Sequence, residues 1–520
     1  MLKTTKKALL VLLAVMMLFS VTACGKKTGG SAIDGVDLSA DTIISKEPIE
    51  LTFFHSASKK DDGQWDTLEE AARMTNVRLK VTVSKSNSDY NQAFNLMMAS
   101  GKLDDIIECY SSASFTQYGV EGAFVAIDEY LDLMPNFKKF LDENPQARKE
   151  MTSYDGHIYY IPFMQGGYAS TGWFARTDWL EKLGLEAPET AEELHDVLVA
   201  FRDKDPNGNG KKDEIPYFNG GMSKTSFGGL ECLYPLWNAR PSWYAENGKV
   251  KFGPYEPAYK DAIKNVAQWY QEGLIDQEIF TRGSNSRAEL LGNNVGGMTH
   301  DWFGSTAKFN RELEGKIDGF KFEAIPAIEG KEPQHRPATA GYGWGISTQC
   351  KHIEEAIKYF DFWFSETGYR LINFGIEGVH YDMVDGKPQF KPELLARDDF
   401  QAMITADGVQ CEIGYKQDFE YEKQWLHPIA VEGMEMYESH PEWFLDIFPP
   451  LNSSYTPEEF ERYTELYTPI KTYIDETVSQ WLLGVTDVDS TYDAFIKQLE
   501  SFNVKELIEV QQSAYDRFNK

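Results

Sequence analysis

One stretch of the chain combines oxygen-bearing side chains in a spacing that suits a metal ion. Aspartate or asparagine stands at positions 1, 3, 5 and 9 of the segment that starts at Asp205, and Gly210 stands at position 6. A Ca²⁺ loop wraps its ion with this alternation, and the glycine permits a sharp turn. Pro216 stands where a bidentate glutamate is usual, so Glu214 would supply that oxygen. We predict a structural calcium loop over 205–214, with ligands from Asp205, Asn207, Asn209, Lys211, Asp213 and Glu214.

Residues of these types are also compatible with a solvated turn or with an enzyme. A solvated turn would favour the same asparagine- and glycine-rich stretch. A secreted glycoside hydrolase or polysaccharide lyase would line a groove with carboxylates and aromatic rings. The 81 aspartates and glutamates guarantee chance pairs, so a catalytic pair cannot be recognised without geometry. The sequence has no HExxH or GxSxG motif and no zinc-ligand spacing, which argues against an enzyme.

The first 24 residues have the pattern of an export signal. Three lysines precede an apolar run over 8–19, and small residues lead to Cys24. Because a membrane-spanning helix needs about 20 apolar residues, this shorter run predicts a signal peptide over 1–23. The position of Cys24 resembles the lipobox of bacterial lipoproteins, in which the cysteine is acylated and becomes the first mature residue. An ordinary signal peptide with an incidental cysteine is the alternative.

Residues 24–48 follow as a segment rich in Gly, Ser, Asp and Lys and short of aromatic residues. Such a segment cannot bury enough apolar surface to order itself, so we predict a flexible tether. Each buried CH₂ of an acyl chain contributes ~0.8 kcal/mol, so a multiply acylated Cys24 would hold the protein on the membrane. We therefore expect a lipid-anchored protein on the extracellular face of the cell membrane.

The composition of the remaining chain is that of a large, acidic, globular body. About 470 residues are too many for one hydrophobic core and enough for two lobes. The formal net charge of −30 becomes about −33 once the lysines of the signal are removed. Nucleic acid needs a basic footprint and is therefore not an expected partner. The four cysteines of the body are scattered, so a disulfide framework is not indicated, although a single bridge stays open.

Hydrophobic periodicity predicts an α/β protein. Strands are predicted over 49–54, 78–83 and 105–109, with a helix over 65–74 between the first two. Strand, helix and strand in this order form the unit of a parallel sheet. Thr190 and Glu193 predict a capping box that opens an amphipathic helix. Extended runs over 158–162 and 171–175 suggest a first crossing between lobes, and the run over 342–347 suggests a second. A further strand is predicted over 296–303.

The order of short motifs along the chain resembles that of the family 1 extracellular solute-binding proteins, especially the large lipoprotein branch with alginate-oligosaccharide-binding members. The motifs cover nearly the whole mature chain. Besides the calcium loop they are NLMMASG (95–101), DDII (104–107), DGHIY (155–159), RTDWLEKLG (176–184), EGLID (272–276), FGIEGVHY (374–381) and WLLG (481–484).

The resemblance implies a type II periplasmic-binding-protein fold, in which two α/β lobes joined by crossing strands enclose a ligand cleft. We assign one lobe to residues 49–165 plus about 290–340, and the other to 166–289 plus about 341–520. The resemblance also implies a monomer that captures a carbohydrate of oligosaccharide size and delivers it to the permease of an ABC importer. A sugar sensor that partners a membrane kinase would share this fold, and the sequence does not separate the two.

A sugar-binding cleft needs aromatic rings for the flat C–H faces of sugars and polar groups for their hydroxyls. Trp302 and Trp344 are the leading candidates, since each belongs to a strand with nearby glycines that would let a ligand approach. Tryptophans inside predicted helices, such as Trp179, are expected in the core instead. The full set of predicted contacts is Trp302, Trp344, Tyr342, Asp301, Trp237, Trp243, Trp173, Tyr110 and His55.

Overall fold

The computed structural model describes residues 33–56, 65–84, 87–219, 228–397, 399–411 and 413–520. The predicted signal peptide over 1–23 and the predicted acylation site Cys24 lie outside these residues. The strands, numbered in chain order, are β1 (Ile49–Ser56), β2 (Val77–Ser84), β3 (Ile106–Cys109), β4 (Ile161–Pro162), β5 (Thr171–Arg176), β6 (Ile215–Tyr217), β7 (Trp243–Glu246), β8 (Lys249–Phe252), β9 (Gly296–Trp302), β10 (Phe322–Ile325), β11 (Gly343–Ile346), β12 (Tyr381–Val384) and β13 (Lys387–Phe390).

Helices cover most of the remaining ordered chain. They are α1 (Asp66–Thr75), α2 (Asn87–Ser100), α3 (Ser112–Val120), α4 (Pro135–Glu143), α5 (Pro145–Met151), α6 (Thr177–Leu183), α7 (Ala191–Asp203), α8 (Gly228–Glu231), α9 (Ala258–Gln271), α10 (Ser286–Gly292), α11 (Phe303–Ala307), α12 (Phe309–Leu313), α13 (Ile353–Phe362), α14 (Glu366–Phe374), α15 (Pro392–Leu395), α16 (Phe400–Ala406), α17 (Phe419–Lys423), α18 (Pro428–Glu438), α19 (Pro457–Leu482), α20 (Val488–Ser501) and α21 (Val504–Phe518). Short 3₁₀ segments lie at Ile127–Leu133, Tyr234–Trp237, Gly253–Tyr255, Gly283–Asn285, Ile328–Gly330 and Pro441–Trp443.

The first lobe is built on a five-stranded sheet in the order β2-β1-β3-β11-β4. β1 runs parallel to both β2 and β3, with Phe53 opposite Val81 on one side and Ile106 on the other. This parallel arrangement confirms the strand–helix–strand unit predicted from the sequence, because a helix must connect two parallel neighbours. β11 closes the sheet as an antiparallel neighbour of β3 and β4.

The second lobe is built on a four-stranded sheet in the order β10-β5-β9-β6. Successive residues of β5 point to opposite faces, so Trp173 packs into one apolar core and Phe174 into another. The first of these cores also receives α7, which begins with the predicted capping box of Thr190 and Glu193. The second sheet is therefore covered by helices on both faces.

The sheets correct the predicted lobe boundaries. Residues 290–340 were expected in the first lobe, but β9 and β10 both pair with β5 of the second sheet. The segment from 341 was expected in the second lobe, but β11 pairs with β3, and α13 packs into the core of the first lobe. Backbone pairing between distant segments decides these boundaries, and the hydrophobic pattern of a strand does not specify its partner.

The predicted tether over 24–48 is also corrected, in its second half. Ile33 is buried, and the N–H of Ile44 donates to the carbonyl of Thr75 at 3.0 Å. Asn76 Nδ2 donates to the carbonyl of Ser45 at the same distance. Residues 33–48 therefore lie against the end of α1 in the first lobe, because hydrogen bonds to the αL turn after the helix compensate for their low apolar content.

Three passages of the chain cross between the lobes and hydrogen-bond to one another. The first passage runs between β4 and β5, and the second runs between β10 and β11. The N–H of Phe163 in the first donates to the carbonyl of Tyr342 in the second. Met164 donates to the carbonyl of Tyr415 in a third passage and accepts from the N–H of Gln417. The sequence predicted the first two passages and missed the third.

A buried ion pair ties the second and third passages together. Arg336 Nη2 lies 2.6 Å from Glu422 Oε2, and both side chains are largely buried. Arg336 Nη1 also donates to the carbonyl of Gly166 in the first passage. This guanidinium of the second passage therefore contacts the first passage and α17, the helix that the third passage enters.

Two further predictions concern the membrane and the cysteines. Among the described residues, no helix is long and apolar enough to cross a membrane. The four described cysteines are buried, and no disulfide joins them. Burial raises the pKa of the Cys109 thiol to about 12, which keeps it protonated at neutral pH.

Candidate functional site

A cavity of about 1100 Å³ opens between the lobes, next to the crossing passages. One wall comes from residues 302–312 of the second lobe, and another comes from residues 395–402, around a small apolar cluster that begins at the end of α14. A second cavity of about 500 Å³ shares Gln165, Ser170, Trp302 and Arg336 with the first. The two cavities form one continuous groove, which we call the cleft.

Trp302 lies where the two parts of the cleft meet, and 49% of its surface is exposed. It ends β9 opposite Thr171 of β5, and its backbone N–H donates to Asp301 Oδ1 at 2.8 Å. Arg287 Nη1 lies 3.4 Å from the same Asp301 oxygen. The structure thus places Trp302 in the cleft, as the sequence predicted, and the Asp301 carboxylate accepts a hydrogen bond from its backbone.

Tyr342 and Tyr110 form an aromatic edge of the first lobe beside the crossing passages. The ring of Tyr342 lies 5.5 Å from that of Phe163 and 5.7 Å from that of Tyr110, measured between centroids. Tyr110 is 37% exposed. These two predicted residues therefore lie together at the base of the first lobe, although neither lines the two cavities of the cleft.

Trp243 and Trp237 lie in different places on the second lobe. Trp243 is half-buried, packs on Phe252 with 4.5 Å between ring centroids, and lines the smaller part of the cleft. Trp237 packs against Trp269 and lines a separate surface depression of about 600 Å³ near the start of α7. The prediction of Trp237 as a residue of the cleft is wrong, because its helical turn packs on the outer side of the lobe.

Trp344 was a leading candidate, and the structure contradicts its assignment to the cleft. Its side chain is fully buried in the core of the first lobe and stacks on Phe360 with 4.3 Å between ring centroids. A Cβ added to Gly343 would meet the carbonyl of Ile161 at 2.1 Å, and one added to Gly345 would meet aromatic rings at 2.9 Å. The glycines beside Trp344 therefore serve close packing and not the approach of a ligand.

Trp173 and His55 are also core residues. Trp173 is fully buried and meets the ring of His300 edge to face at 5.4 Å. His55 is buried, with Nδ1 2.7 Å from Glu108 Oε2. Helices cover both sheets, so strand residues that the sequence assigned to a ligand face a packed interior. The helical tryptophan Trp179 is buried, as predicted.

The charged side chains of the cleft were not among the residues predicted from the sequence. Lys308 lies between the short helices α11 and α12 that follow Trp302, Arg311 lies in α12, and Arg397 comes from the facing wall. No motif marks them, since they converge only through the folding of two segments that lie far apart in the chain. Their proximity to the exposed Trp302 in sequence is the one signal that pointed toward Lys308 and Arg311.

The predicted calcium loop is a tight turn at the end of α7. Both oxygens of Asp205 accept backbone N–H groups, from Asn209 and Gly210, at 3.0 Å. Asp205 itself has φ 49° and Gly210 has φ 77°, so the backbone takes left-handed turns at both residues. The side chains of Asn207 and Asn209 both donate to Asp213 at 3.0–3.2 Å. The polar side chains of the loop are thus gathered on one side.

Glu214 is the residue of this loop whose buried carboxylate lacks hydrogen-bond partners. Its side chain is buried, and neither carboxylate oxygen makes a hydrogen bond of normal geometry with the described residues. Burial, followed by the negative charges of Asp205 and Asp213, raises the pKa of Glu214, although the nearby N–H of Asn207 partly offsets this. A buried carboxylate without partners is costly, and a cation would remove that cost.

Carboxylates alone do not define a metal site in this structure. Across the part of the chain that is described, no three His, Cys, Asp or Glu side chains converge as metal ligands would. Ca²⁺, however, takes six to eight oxygens and accepts amide and backbone carbonyl groups among them. The donor set of Asp205, Asn207, Asn209, Asp213 and Glu214 fits calcium by its chemistry.

The chain resembles known proteins in both sequence and fold. The sequence profile of the bacterial extracellular solute-binding proteins matches residues 67–370, more than half of the chain. The chain belongs to this family. A crystal structure of the alginate-binding protein AlgQ2 without calcium ion is similar to this solute-binding protein, at 36% sequence identity and a TM-score of 0.75, over 92% of this chain and 100% of AlgQ2.

Two curated relatives are similar over most of their length. The fructooligosaccharide ABC transporter substrate-binding protein FusA of Streptococcus pneumoniae is 26% identical to this solute-binding protein over 99% of this chain and 98% of FusA. The lipoprotein LipO of Bacillus subtilis is 28% identical over 73% of this chain and 74% of LipO. The structural similarity to AlgQ2 confirms the expected two-lobed fold.

Replacing Trp344 tests its reassignment to the core of this solute-binding protein. We expect Trp344→Ala to lower the free energy of unfolding by about 3–5 kcal/mol, because it leaves a large cavity. Trp302→Ala should change it by less than about 1 kcal/mol, since that side chain is half-exposed. Urea unfolding followed by circular dichroism measures both. Equal stabilities of the two variants would contradict the placement of Trp344.

Proposed function

We propose that this protein binds an oligosaccharide in the cleft and delivers it to the permease of an ABC importer. The observation that carries the proposal is Trp302, a half-exposed indole at the centre of a groove between two lobes. A volume of about 1100 Å³ accommodates several sugar rings. FusA and AlgQ2 are named for oligosaccharide or alginate binding, and this supports a carbohydrate as the ligand.

The chemistry of the cleft suits sugar rings. The exposed face of Trp302 would stack on axial C–H groups, while the polar side chains of Gln165 and Ser170 at the base of the cleft would bond hydroxyls. Trp243 adds a second aromatic surface in the smaller part of the groove. Of the nine contacts predicted from sequence, we retain Trp302 and Trp243 as platforms and Tyr110 and Tyr342 as an outer edge.

Capture would occur by closure of the lobes around the crossing passages. Closure requires a ligand that contacts both lobes, since only differential affinity for the closed state can shift the equilibrium. The first passage bonds to the second at Phe163 and to the third at Met164, so rotation of one lobe against the other would concentrate at these residues. This role needs no chemical step, and we propose that the protein acts as a monomer without catalysis.

We further propose that Cys24 is acylated and anchors the protein to the outer face of the cell membrane. The similarity to LipO, a lipoprotein, supports this assignment. The anchored segment would join the folded body at Ile33, which packs on the first lobe.

We also propose that the 205–214 loop binds Ca²⁺, through Asp205, Asn207, Asn209, Asp213, Glu214 and the carbonyl of Lys211. The buried carboxylate of Glu214 supports this. Bound calcium would supply no reaction chemistry; it would hold the loop at the end of α7. The naming of AlgQ2 with reference to calcium agrees with such a site in a similar protein.

Loss of the central indole should weaken sugar binding. We expect Trp302→Ala to raise the dissociation constant for a bound oligosaccharide at least tenfold, or about 1.4 kcal/mol. The ligand is first identified by a thermal-shift screen of neutral and acidic oligosaccharides, and calorimetry then measures its affinity. Trp237→Ala is the matched control, because it removes the same ring from the same lobe outside the cleft.

An unchanged dissociation constant in Trp302→Ala would remove that residue from the site. Incubation of the purified protein with the same oligosaccharides, followed by chromatography, tests the absence of catalysis. Cleavage of any of them would contradict a pure binding function.

Chelation should destabilise the protein if calcium occupies the loop. We expect EDTA to lower the melting temperature by several degrees, because a ligand present at 100 times its dissociation constant contributes about 2.7 kcal/mol. Asp205→Ala should melt at the lower temperature and show no response to EDTA. Asp203→Ala, which alters an exposed carboxylate just before the loop, should keep the response. Identical melting of the unaltered protein with and without chelator would refute the metal site.

A further inference from the structure

The charges that line the cleft differ from those of the chain as a whole. The chain carries a formal net charge of −30. The larger part of the cleft nevertheless has four cationic side chains, Lys308, Arg311, Arg336 and Arg397, against three acidic ones, Glu312, Asp399 and Glu422. The smaller part adds Arg240 against Glu231 and Asp446, so the cleft as a whole is neutral where the chain is strongly acidic. Whether it favours an anionic ligand therefore depends on which of its cations lack a carboxylate partner.

Three of these four cations already have a carboxylate within the cleft. Arg336 pairs with Glu422 at 2.6 Å. The other two pairs are Lys308 with Glu312 at 3.3 Å and Arg397 with Asp399 at 2.8 Å. Arg311 is different, because no carboxylate of the described chain lies within 4 Å of its guanidinium.

Arg240 is the second arginine of this kind. It lines the smaller part of the cleft and has no carboxylate within 4 Å among the described residues. Its side chain is half-buried, and burial lowers its pKa, an effect that the charge of Asp446 partly opposes. Trp302 lies at the junction of the two parts of the cleft. The exposed indole therefore has one unpaired arginine in the cavity on either side.

The smaller part of the cleft also contains two carboxylates, Glu231 and Asp446, and among the described residues neither lies within 4 Å of the Arg240 guanidinium. Burial raises the pKa of Glu231 to about 7, so its charge in the smaller part of the cleft is partly lost at neutral pH. His427 lines the larger part, and burial followed by the positive charge of Arg311 lowers its pKa. His427 is therefore not a positively charged partner for a ligand at neutral pH, and Arg311 is a cation that acts on this part of the cleft.

We propose that the cleft selects acidic oligosaccharides, whose carboxylates pair with Arg311 and Arg240 on either side of a sugar ring stacked on Trp302. This inference rests on the proposed function and adds the class of sugar, chains that contain uronic acid residues. A guanidinium binds a carboxylate through two parallel hydrogen bonds, which are stronger than bonds to a neutral hydroxyl. Closure of the lobes would remove water from both arginines, and an anionic ligand compensates for that loss.

The test compares uronic acid tetramers with their carboxyl-reduced, neutral counterparts. Galacturonate, mannuronate and guluronate tetramers serve as the acidic probes, and calorimetry measures each affinity at 0.1 M and 1 M salt. We expect an acidic tetramer to bind at least tenfold more tightly than its reduced form at low salt. The difference should shrink at high salt, since the screening length falls from about 10 Å to about 3 Å.

Variants assign the preference to the arginines. Arg311→Gln and Arg240→Gln should each weaken binding of the acidic tetramer about tenfold, and Arg311→Lys should weaken it less because it keeps the charge. Lys316→Gln removes one positive charge from an exposed position just after α12, outside the cleft, and should change affinity less than twofold.

The outcomes separate this inference from the proposed function. Equal binding of the acidic and reduced tetramers, or binding of the reduced ones alone, would overturn the preference for acids and leave sugar binding intact. An acidic preference that survives in both glutamine variants would overturn the role of the two arginines. If no oligosaccharide, acidic or neutral, binds to the unaltered protein, the proposed function itself fails.

Discussion

Hydrogen bonds among three passages of backbone at Phe163 and Met164 determine where a ligand can bind. These bonds join segments that are more than 170 residues apart in the chain, and they bring the ends of both sheets to one place. The buried guanidinium of Arg336, in the second passage, adds contacts to Gly166 in the first and to Glu422 in α17. The groove lies beside this junction, because each lobe is built on a sheet of its own and the passages bring the two sheets together there.

Local pattern predicted the elements of the fold more closely than their partners. The alternation of β1 and β2 and the capping box of α7 are encoded within a few residues, so the sequence identified them. The pairing of β9 with β5 is encoded in neither strand alone, and the predicted boundary at 290 was therefore wrong. The third passage near Tyr415 was missed for the same reason. Its extended backbone is defined by hydrogen bonds to Met164, which lies about 250 residues away in the chain.

The aromatic candidates illustrate the same limit. Trp302 and Trp344 look alike in sequence, each in a short strand run with glycine nearby. One ends its strand at the rim of the second sheet and is exposed, while the other sits in the middle of a sheet between helices. For the charged residues of the cleft, the sequence offered only the proximity of Lys308 and Arg311 to Trp302, because folding brings them together with arginines from distant segments of an acidic chain.

The docking of residues 33–48 on the first lobe has a mechanical consequence. If Cys24 carries the lipid, eight residues (25–32) lie between it and the first packed side chain, Ile33. The nine steps from Cys24 to Ile33 can span at most roughly 30 Å. The first lobe would then stay within a protein diameter of the bilayer while the second lobe swings. A tether of this length would keep the cleft close to a partner protein embedded in the same membrane. It would thereby raise the effective concentration of the binding protein at that partner.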